Sequence, residues 1–230
     1  MPEIVVIIPA LNEEKAIGKV LRRIPGNLVT RVVVVDNSST DATAEVAKGL
    51  GATVVHESHV GYGAACLKGI EYIMSNIPEP EIVVFLDADY SDYPEEMPRL
   101  IQPIVQQNYD MVIGSRLPGS RNKGAMPWHQ VLGNRLAVTL INWMYCVHYT
   151  DLGPFRAIKF DKLLKLRMQE RKYGWTAEMQ VKAARQGLRY SEVPVSYRPR
   201  IGVSKISGTL SGTVFAGYNI LATVIKNRLC

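Results

Sequence analysis

Five short apolar runs divide the first half of the chain, and segments with helical periodicity separate them. The runs lie at residues 4–8, 31–35, 53–55, 82–86 and 111–113, and they are largely apolar throughout rather than at alternate positions. This pattern indicates strands that are buried on both faces. Strands that alternate with helices at this spacing predict a mostly parallel α/β sheet with helices on both sides.

Polar and glycine residues after each run mark the expected turns and helix starts. Asn12 is placed to cap a helix whose first turn contains Glu13 and Glu14. Asp and Ser residues after the second run should cap the next helix, and a Gly-Tyr-Gly turn should open the third. The pattern thus predicts helices over about residues 41–50 and 63–72, and another that begins near residue 94.

The second half of the chain is richer in helical than in strand patterns. Residues 117–127 form a loop of Gly, Pro and Asn, and residues 189–197 alternate as a strand does. Residues 199–205 are polar and predict a second loop. Helices are expected over about residues 128–147 and 175–186, and a last helix closes the chain.

Charge is divided unevenly between the two halves. Residues 1–115 contain 8 Lys and Arg against 16 Asp and Glu, whereas residues 116–230 contain 19 against 5. The acidic half suits metal and ribose contacts, and the basic half suits phosphate groups on a substrate or an anionic lipid surface. No nucleic-acid-binding motif accompanies the basic residues, so no nucleic acid partner is expected.

Cysteine usage and the N-terminus bear on location. The three cysteines are odd in number, widely spaced and without a C-x-x-C pattern, which argues against disulfides and zinc. The chain enters an apolar strand at once, without the basic segment of a secretory signal. We therefore expect a cytoplasmic protein.

Two uncharged stretches, residues 136–150 and 206–225, raise the question of membrane contact. Ser, Thr, Gly and Asn make the second a poor membrane span. Its apolar residues mark one helical stripe, which predicts either a helix packed on the protein's own core or an interfacial membrane helix. The stripe comprises Leu210, Val214, Leu221 and Ile225, with Tyr218 nearby. Trp128, Trp143 and Tyr145 are interpreted as buried core rather than as the rim of an acceptor groove or a membrane contact.

Asp87 and Asp89 directly follow the fourth apolar run, so a buried strand delivers two carboxylates to its carboxyl end. Parallel α/β sheets bind ligands at that edge. Residues i and i+2 of an extended chain share a side, so the pair can chelate Mg2+ or Mn2+ together with phosphate oxygens. This predicts a nucleotide diphosphate ligand. The alternative is a solvated Asp-rich turn, since so short a pattern recurs by chance.

Six segments follow one another along the chain: residues 8–14 (IPALNEE), 35–41 (VDNSSTD), 87–89 (DAD), 114–116 (GSR), 151–157 (DLGPFRA) and 204–205 (SK). In this order they resemble the motifs of family 2 glycosyltransferases of GT-A fold. The nearest likeness is to polyprenyl (dolichyl) phosphate mannosyl- and glucosyltransferases, without the transmembrane extension. The resemblance implies one GT-A, Rossmann-like domain over residues 1–230. Residues 1–115 would form its nucleotide-sugar half, and residues 116–230 a helical acceptor-binding half.

The resemblance also assigns the donor side of the site. It implies that Asp87 and Asp89 hold a metal ion bridging the two donor phosphates, and that Asp87 belongs to the nucleotide site. The other nucleotide-binding positions would be Pro9, Ala10, Asn12, Glu13 and Asp36. Asp36 and Asn12 equally suit helix capping. Some relatives carry a Gln two residues after the second aspartate; here that residue is Ser91, and Asp92 is a substitute ligand.

The basic half would supply the acceptor site. A phosphate nucleophile is already anionic and needs cationic alignment more than a base, for which the planar guanidinium of Arg116 is well suited. Supporting candidates are Arg121, Arg156, Arg200 and Lys205. A hydroxyl acceptor would instead require a base, and Glu178 lies where many relatives keep a catalytic carboxylate. Glu178 also suits a helix first turn. Residues 126–130 (MPWHQ) depart from the W-P-L-like stretch and Arg of many relatives.

The sequence therefore predicts an inverting hexosyltransferase. Asp89, Arg116 and Glu178 are its candidate catalytic residues, and Mg2+ or Mn2+ its cofactor. The donor would be a nucleotide diphosphate sugar of UDP-glucose or GDP-mannose type, and the acceptor a polyprenyl phosphate at the cytoplasmic membrane face. The alternatives are a soluble phosphorylated or hydroxyl acceptor, a sugar nucleotidyltransferase, and a binding module without catalysis. Peripheral membrane contact and a homo-oligomer are both compatible with this interpretation.

Overall fold

A computed structural model describes residues 2–78, 80–117, 119, 122, 124–202 and 210–229 of the protein. The strands are β1 (Ile4–Ala10), β2 (Arg31–Asp36), β3 (Thr53–His56), β4 (Ile82–Phe85), β5 (Met111–Ser115), β6 (Arg156–Lys159) and β7 (Tyr190–Pro194). The helices are α1 (Ile17–Leu21), α2 (Thr43–Gly49), α3 (Tyr62–Asn76), α4 (Met97–Gln107), α5 (Trp128–Tyr145), α6 (Phe160–Leu166), α7 (Trp175–Arg185) and α8 (Leu210–Leu229). A 3-10 turn at Pro94–Glu96 precedes α4.

The strands form a single seven-stranded sheet in the order β3-β2-β1-β4-β6-β5-β7. Only β6 runs antiparallel to its neighbours β4 and β5 among the strands described, so the predicted mostly parallel sheet is confirmed. The sequence interpretation missed β6 and the following α6. A strand of four residues that contains Arg and Lys gives no apolar run. These residues form a strand because they pair with β4 and β5, not because of their own pattern.

The sheet separates two hydrophobic cores. Successive residues of β1 alternate between them: Val5 and Ile7 pack in the core that contains Trp175, whereas Val6 and Ile8 pack with Leu100. A strand with a core on each face must be apolar at every position. This explains why the strands appear in the sequence as continuous apolar runs.

The helix starts differ from the predicted ones. Asn12 does not cap α1, which begins at Ile17 after the uncapped Ala16. Its side-chain Oδ1 instead accepts a hydrogen bond from the backbone N–H of Thr40, 2.8 Å away. The loop after β1 is thereby tied to the loop after β2, because a left-handed Asn12 (φ 52°) aims its amide across the sheet edge. Helix α3 ends at Asn76, four residues beyond its predicted end.

The C-terminal helix α8 packs on α5 and α7. Val224 is buried, and the hydroxyl of Tyr145 donates to its carbonyl oxygen at 2.9 Å. The prediction that Trp128 and Trp143 are core residues is wrong: they are 76% and 75% exposed. Within the described residues, no helix combines the length and apolarity that crossing a membrane requires.

Candidate active site

A cleft lies at the carboxyl ends of β1 and β4, where the loops of the first half meet the C-terminal segment. Its walls come from six places in the chain: the end of β1 with the loop after it, the loop after β2, the start of α3 with the residues just before it, the residues after β4, the segment before α7, and the segment after β7. The lining residues are Pro9, Ala10, Leu11, Glu13, Asn37, Val60, Gly61, Tyr62, Asp87, Ala88, Asp89, Tyr173 and Arg200.

Asp87 and Asp89 both lie on the cleft wall, with different partners. The Tyr62 hydroxyl donates to Oδ1 of Asp87 at 3.1 Å. Ser91 donates to Oδ1 of Asp89 from its backbone N–H at 2.9 Å and from its hydroxyl at 2.6 Å. Burial and the nearby negative charge of Asp89 raise the pKa of Asp87 to about 7. The Asp87 carboxyl therefore resists ionisation unless a cation compensates it.

The chemistry of this pair fits a divalent cation. Both residues offer carboxylate oxygens, the ligands that Mg2+ and Mn2+ prefer. Among the described residues, no group of three or more His, Cys, Asp or Glu is arranged to hold a metal ion. The pair would therefore need donor phosphate oxygens and water to complete an octahedron, as is usual for Mg2+.

Ser91 and Asp92 occupy the positions beside the acidic pair that the sequence left open. Ser91 is fully buried and holds Asp89 through the two hydrogen bonds given above. Asp92 is also buried, and neither of its carboxylate oxygens has a hydrogen-bond partner in the described part of the chain. Burial, and then the charges of Asp87 and Asp89, raise the pKa of Asp92 well above its usual range.

Arg200 brings the C-terminal segment into the cleft. Its Nη2 donates to Oε1 of Glu13 at 2.8 Å, and its Nη1 lies 3.4 Å from Oδ2 of Asp89. One guanidinium thus links the loop after β1 to the acidic pair. Its Nε is buried and unpaired among the residues described. Of the predicted acceptor-site cations that the structure describes, Arg200 is the one that lines the cleft.

The nucleotide-binding candidates are partly brought together. Pro9, Ala10, Glu13 and Asp87 line the cleft, whereas Asn12 and Asp36 are not among its lining residues. Oδ2 of Asp36 lies 3.1 Å from Nδ1 of His56, and its buried Oδ1 has no partner in the described chain. Helix α2 begins without a side-chain cap, so the alternative role of Asp36 as a cap is not observed.

Asn37 shapes the cleft wall next to Asp36. Its Oδ1 accepts the Gly61 backbone N–H at 2.7 Å, and its Nδ2 donates to the carbonyl oxygens of Glu57 and His59. These hydrogen bonds fix the loop that precedes α3. The loop in turn places Tyr62 beside Asp87.

Glycines at 61 and 63 serve a close backbone approach. A Cβ at Gly61 would lie 2.2 Å from the Arg171 carbonyl oxygen, and one at Gly63 would lie 2.1 Å from that of Glu170. Any side chain at either position would push these two backbone segments apart. The start of α3 therefore packs directly on residues 170–172, and Tyr173 reaches the cleft from there.

Arg116 and Arg156 are engaged inside the protein. Arg116 donates from Nε and Nη2 to the two carboxylate oxygens of buried Asp151, both at 2.8 Å. Fully buried Arg156 donates to the carbonyl oxygens of Gly153 and Thr176, and burial lowers its pKa to about 10. Neither lies on the cleft wall described above. Arg121 and Lys205 lie outside the described residues.

Glu178 is not brought together with the acidic pair. Its carboxylate accepts the backbone N–H groups of Gln169 and Glu170 and forms an ion pair with Lys182 at 2.8 Å. It lines a separate cavity between α6, α7 and α8. At the start of α7, this arrangement fixes the chain that precedes the helix, in line with the alternative role of a first-turn acid.

Arg198 supports the loop beside the cleft, and no pattern in the sequence identified it. Its guanidinium lies between two aromatic rings, 3.4 Å from the Tyr90 centroid and 3.9 Å from that of Tyr93. It donates to the carbonyl oxygens of Tyr90 at 2.6 Å and Asp92 at 2.8 Å. Tyr90 has φ 65°, an uncommon value for a bulky residue. Arg198 thus stabilises the loop that follows the acidic pair.

Comparisons with known proteins agree with this geometry. The model of the family described as "Glycosyl transferase family 2" matches residues 5–167. An uncharacterized glycosyltransferase of Mycobacterium tuberculosis is 36% identical over 218 residues, which cover 93% of this chain and 94% of that protein. A dolichyl-phosphate hexose transferase of Haloferax volcanii is 31% identical over 233 residues, with coverages of 99% and 96%.

A solved structure of glucosyl-3-phosphoglycerate synthase from Mycobacterium tuberculosis, in complex with Mn2+, UDP-glucose and phosphoglyceric acid, shares the fold. Its TM-score is 0.76 at 22% identity, over 99% of this chain and 80% of that one. The architecture is therefore the expected GT-A, Rossmann-like α/β fold. Because the family match spans most of the chain and relatives above 30% identity cover nearly all of it, the chain belongs to glycosyl transferase family 2.

Proposed function

We propose that the protein transfers a hexose from a nucleotide diphosphate sugar to a polyprenyl phosphate, with inversion at the anomeric carbon. The observation that carries this proposal is the cleft in which Asp87 and Asp89 meet the loop after β1 and the guanidinium of Arg200. Paired carboxylates suit a cation on a diphosphate, and a guanidinium suits phosphate oxygens. The similar dolichyl-phosphate hexose transferase of Haloferax volcanii supports the choice of acceptor.

The donor would lie along the carboxyl ends of β1 and β4. Pro9, Ala10 and Glu13 would form the wall beside the nucleoside, with Asp36 and Asn12 behind them holding the two loops. Asp87 and Asp89 would hold Mg2+ or Mn2+ against the diphosphate. A bound cation of this kind neutralises the charge that develops on a departing nucleoside diphosphate.

The acceptor phosphate is itself the nucleophile in this scheme. One of its oxygens forms a bond to the anomeric carbon while the bond from that carbon to the diphosphate oxygen breaks. Because the phosphate is anionic, no general base is needed, and alignment by cations is the main requirement. The position of Glu178, away from the cleft, is compatible with such a reaction.

Arg200 is the cation best placed for this alignment, and Arg116 is the second. Asp151 uses Nε and Nη2 of Arg116, so Nη1 takes no part in that ion pair. Arg156 is fully buried, so it would not touch the acceptor and would contribute only by holding its own part of the chain in place. Arg121 and Lys205 remain candidates from the sequence alone.

A donor and acceptor panel tests the proposal. UDP-glucose, GDP-mannose and UDP-N-acetylglucosamine are each incubated with Mg2+ or Mn2+ and with a short polyprenyl phosphate, the matching polyprenol, or phosphoglyceric acid. Product formation is scored by mass spectrometry. We expect transfer to the polyprenyl phosphate and none to the polyprenol. Transfer to phosphoglyceric acid in preference to the lipid would overturn the acceptor, and the absence of any transfer would overturn the reaction.

A further inference from the structure

Helix α5 carries an apolar stripe on the face that points away from the protein. Trp128, Leu132, Leu136 and Trp143 are all exposed, and their spacings of four, four and seven residues keep them on one side of the helix. The opposite side, with Ala137, Val138 and Ile141, is buried against the core. Within the described part of the chain, the exposed stripe is therefore not a packing surface.

Helix α8 repeats this arrangement next to α5. Tyr218, Leu221 and Ile225 are exposed at spacings of three and four, and Tyr218 is 69% exposed. Thr223 and Val224 are buried on the other side. The residues that the sequence placed on one stripe of this helix thus face solvent at every position whose side chain is described. Several exposed apolar side chains on one side of a helix indicate an interaction site.

The charge around these helices selects the partner. No Asp or Glu occurs between residues 111 and 150 or between residues 193 and 230, while these two segments contain nine Lys and Arg. Arg135 and Lys226 are exposed on α5 and α8 themselves. An anionic lipid surface would attract such a face. A second copy of the chain would place like charges together across the contact.

We propose that the outer faces of α5 and α8 dock the protein on an anionic bilayer, with the apolar stripes in the interfacial region. Trp128 and Trp143 at the two ends of the α5 stripe, and Tyr218 on α8, suit this depth because their rings are amphipathic. Helices that lie in the interface combine an apolar face with basic neighbours, as these two do.

The topology connects this face to the acceptor side of the cleft. Helix α5 lies in the segment that connects β5 to β6. This segment leaves the sheet at Arg116 and returns at Asp151, and the ion pair between these two residues links its two ends. Helix α8 follows the segment that contains Arg200. The inference rests on the proposed function in one respect: docking would bring a membrane-embedded lipid phosphate to the cations of these two segments.

Vesicle flotation tests the docking face directly. The purified protein is mixed with vesicles of phosphatidylcholine alone or with 30% phosphatidylglycerol, and the bound fraction is measured at low and high salt. The test variant is Trp128→Ala combined with Trp143→Ala. The matched control is Met74→Ala combined with Val105→Ala, which removes exposed apolar side chains from α3 and α4. Thermal unfolding confirms that each variant is folded.

We expect wild type and control to bind the anionic vesicles, and the tryptophan variant to bind at least ten-fold more weakly. Binding should also fall at high salt and without phosphatidylglycerol. Equal binding by the tryptophan variant, or no binding by wild type, overturns the proposal. A wild-type dimer that the tryptophan variant converts to a monomer would assign the face to a second copy and also overturn it.

The two proposals can fail separately. If vesicle binding behaves as expected but no sugar reaches a lipid phosphate, docking stands and the proposed reaction fails. If transfer to a short, water-soluble polyprenyl phosphate occurs equally in wild type and the tryptophan variant while neither binds vesicles, the reaction stands and docking fails.

Discussion

The acidic and basic halves of the chain reach the cleft by different routes. In the first half, motif residues follow directly after β1 and β4, and parallel strands deliver them to one edge of the sheet. In the second half, the candidate site residues disperse: Arg200 enters the cleft, Arg116 and Arg156 stabilise the interior, and the acidic Glu178 lines another cavity. Position at the carboxyl ends of β1 and β4 thus predicts which residues reach the cleft better than residue type does.

The largest effect should come from the acidic pair. Replacing Asp89 with Ala removes a carboxylate from the cleft and should lower sugar transfer on the order of 10³-fold or more. The fold should persist, because Asp89 lies at the loop rather than in the sheet. Transfer rate and thermal unfolding are measured together. Asp161→Ala, which removes an exposed surface carboxylate, is the control, and near-normal transfer by Asp89→Ala would contradict the assigned role.

The pairing of Arg116 with Asp151 should matter most for stability. Burial alone would raise the pKa of Asp151, but the guanidinium and its hydrogen bonds outweigh this and hold that pKa below its usual range. Asp151→Asn leaves Arg116 uncompensated and should cost about 3–5 kcal/mol in the free energy of unfolding, measured in urea.

A conservative change at Arg116 separates its two possible roles. Arg116→Lys keeps the charge but loses the two-pronged contact with Asp151. If Arg116 also aligns the acceptor, the KM for polyprenyl phosphate should rise in the folded variant, an effect that a loss of stability alone does not explain. An unchanged KM would restrict Arg116 to a structural role.

Removing Arg198 should have an intermediate effect on the acidic pair. Arg198→Met keeps much of the packing against Tyr90 and Tyr93 but loses the cation and its two hydrogen bonds. We expect Mn2+ to bind about ten-fold more weakly, equivalent to roughly 1.4 kcal/mol, as measured by calorimetry. Arg189→Met, which removes a similar contact with Tyr109 away from the cleft, should leave Mn2+ binding unchanged. Equal losses in both variants would argue against a specific role for Arg198.

The smallest effect concerns the pH dependence of stability in the absence of divalent ions. The pKa of Asp87 is about 7 in the folded protein, against about 4 in an unfolded chain. The folded state therefore holds the proton more tightly, and stability falls as the pH rises between these values. Asp87→Asn should raise the Tm by a few degrees at pH 8 and leave it nearly unchanged at pH 4. A difference in Tm between wild type and Asp87→Asn that does not change with pH would show that burial does not raise the pKa of Asp87.

The parts of the fold that the sequence predicted are those set by local pattern. Continuous apolar runs indicated five of the six described strands that run in the same direction, and the acidic pair was predicted at the end of the run that forms β4. Strand β6 was not predicted because it contains Arg156 and Lys159, whose side chains hydrogen-bond to partners distant in the chain. The exposure of Trp128 was not predicted for a related reason: an apolar residue on a helix does not reveal which side of that helix faces the core.

The site shows the same limit. Pro9 and Ala10 at the end of β1, Glu13 in the loop after it and Asp87 after β4 line the cleft because of their positions on these strands. Their nucleotide-binding role stays a prediction. The roles of Ser91, Asn37 and Arg198 depend on hydrogen bonds that appear only after folding, and Arg198 contacts residues more than 100 positions earlier. The pairing of Arg116 with Asp151 joins two motifs that the sequence treated as separate.

The antiparallel β6 limits how this protein can be divided. It lies between β4 and β5, so these two strands of the first half make their hydrogen bonds to a strand contributed by the second. A fragment that stops at residue 115 would present unpaired edges on both, the kind of edge that promotes aggregation. Chimeras with relatives should therefore exchange β6 together with β4 and β5, whatever acceptor region they are meant to transplant.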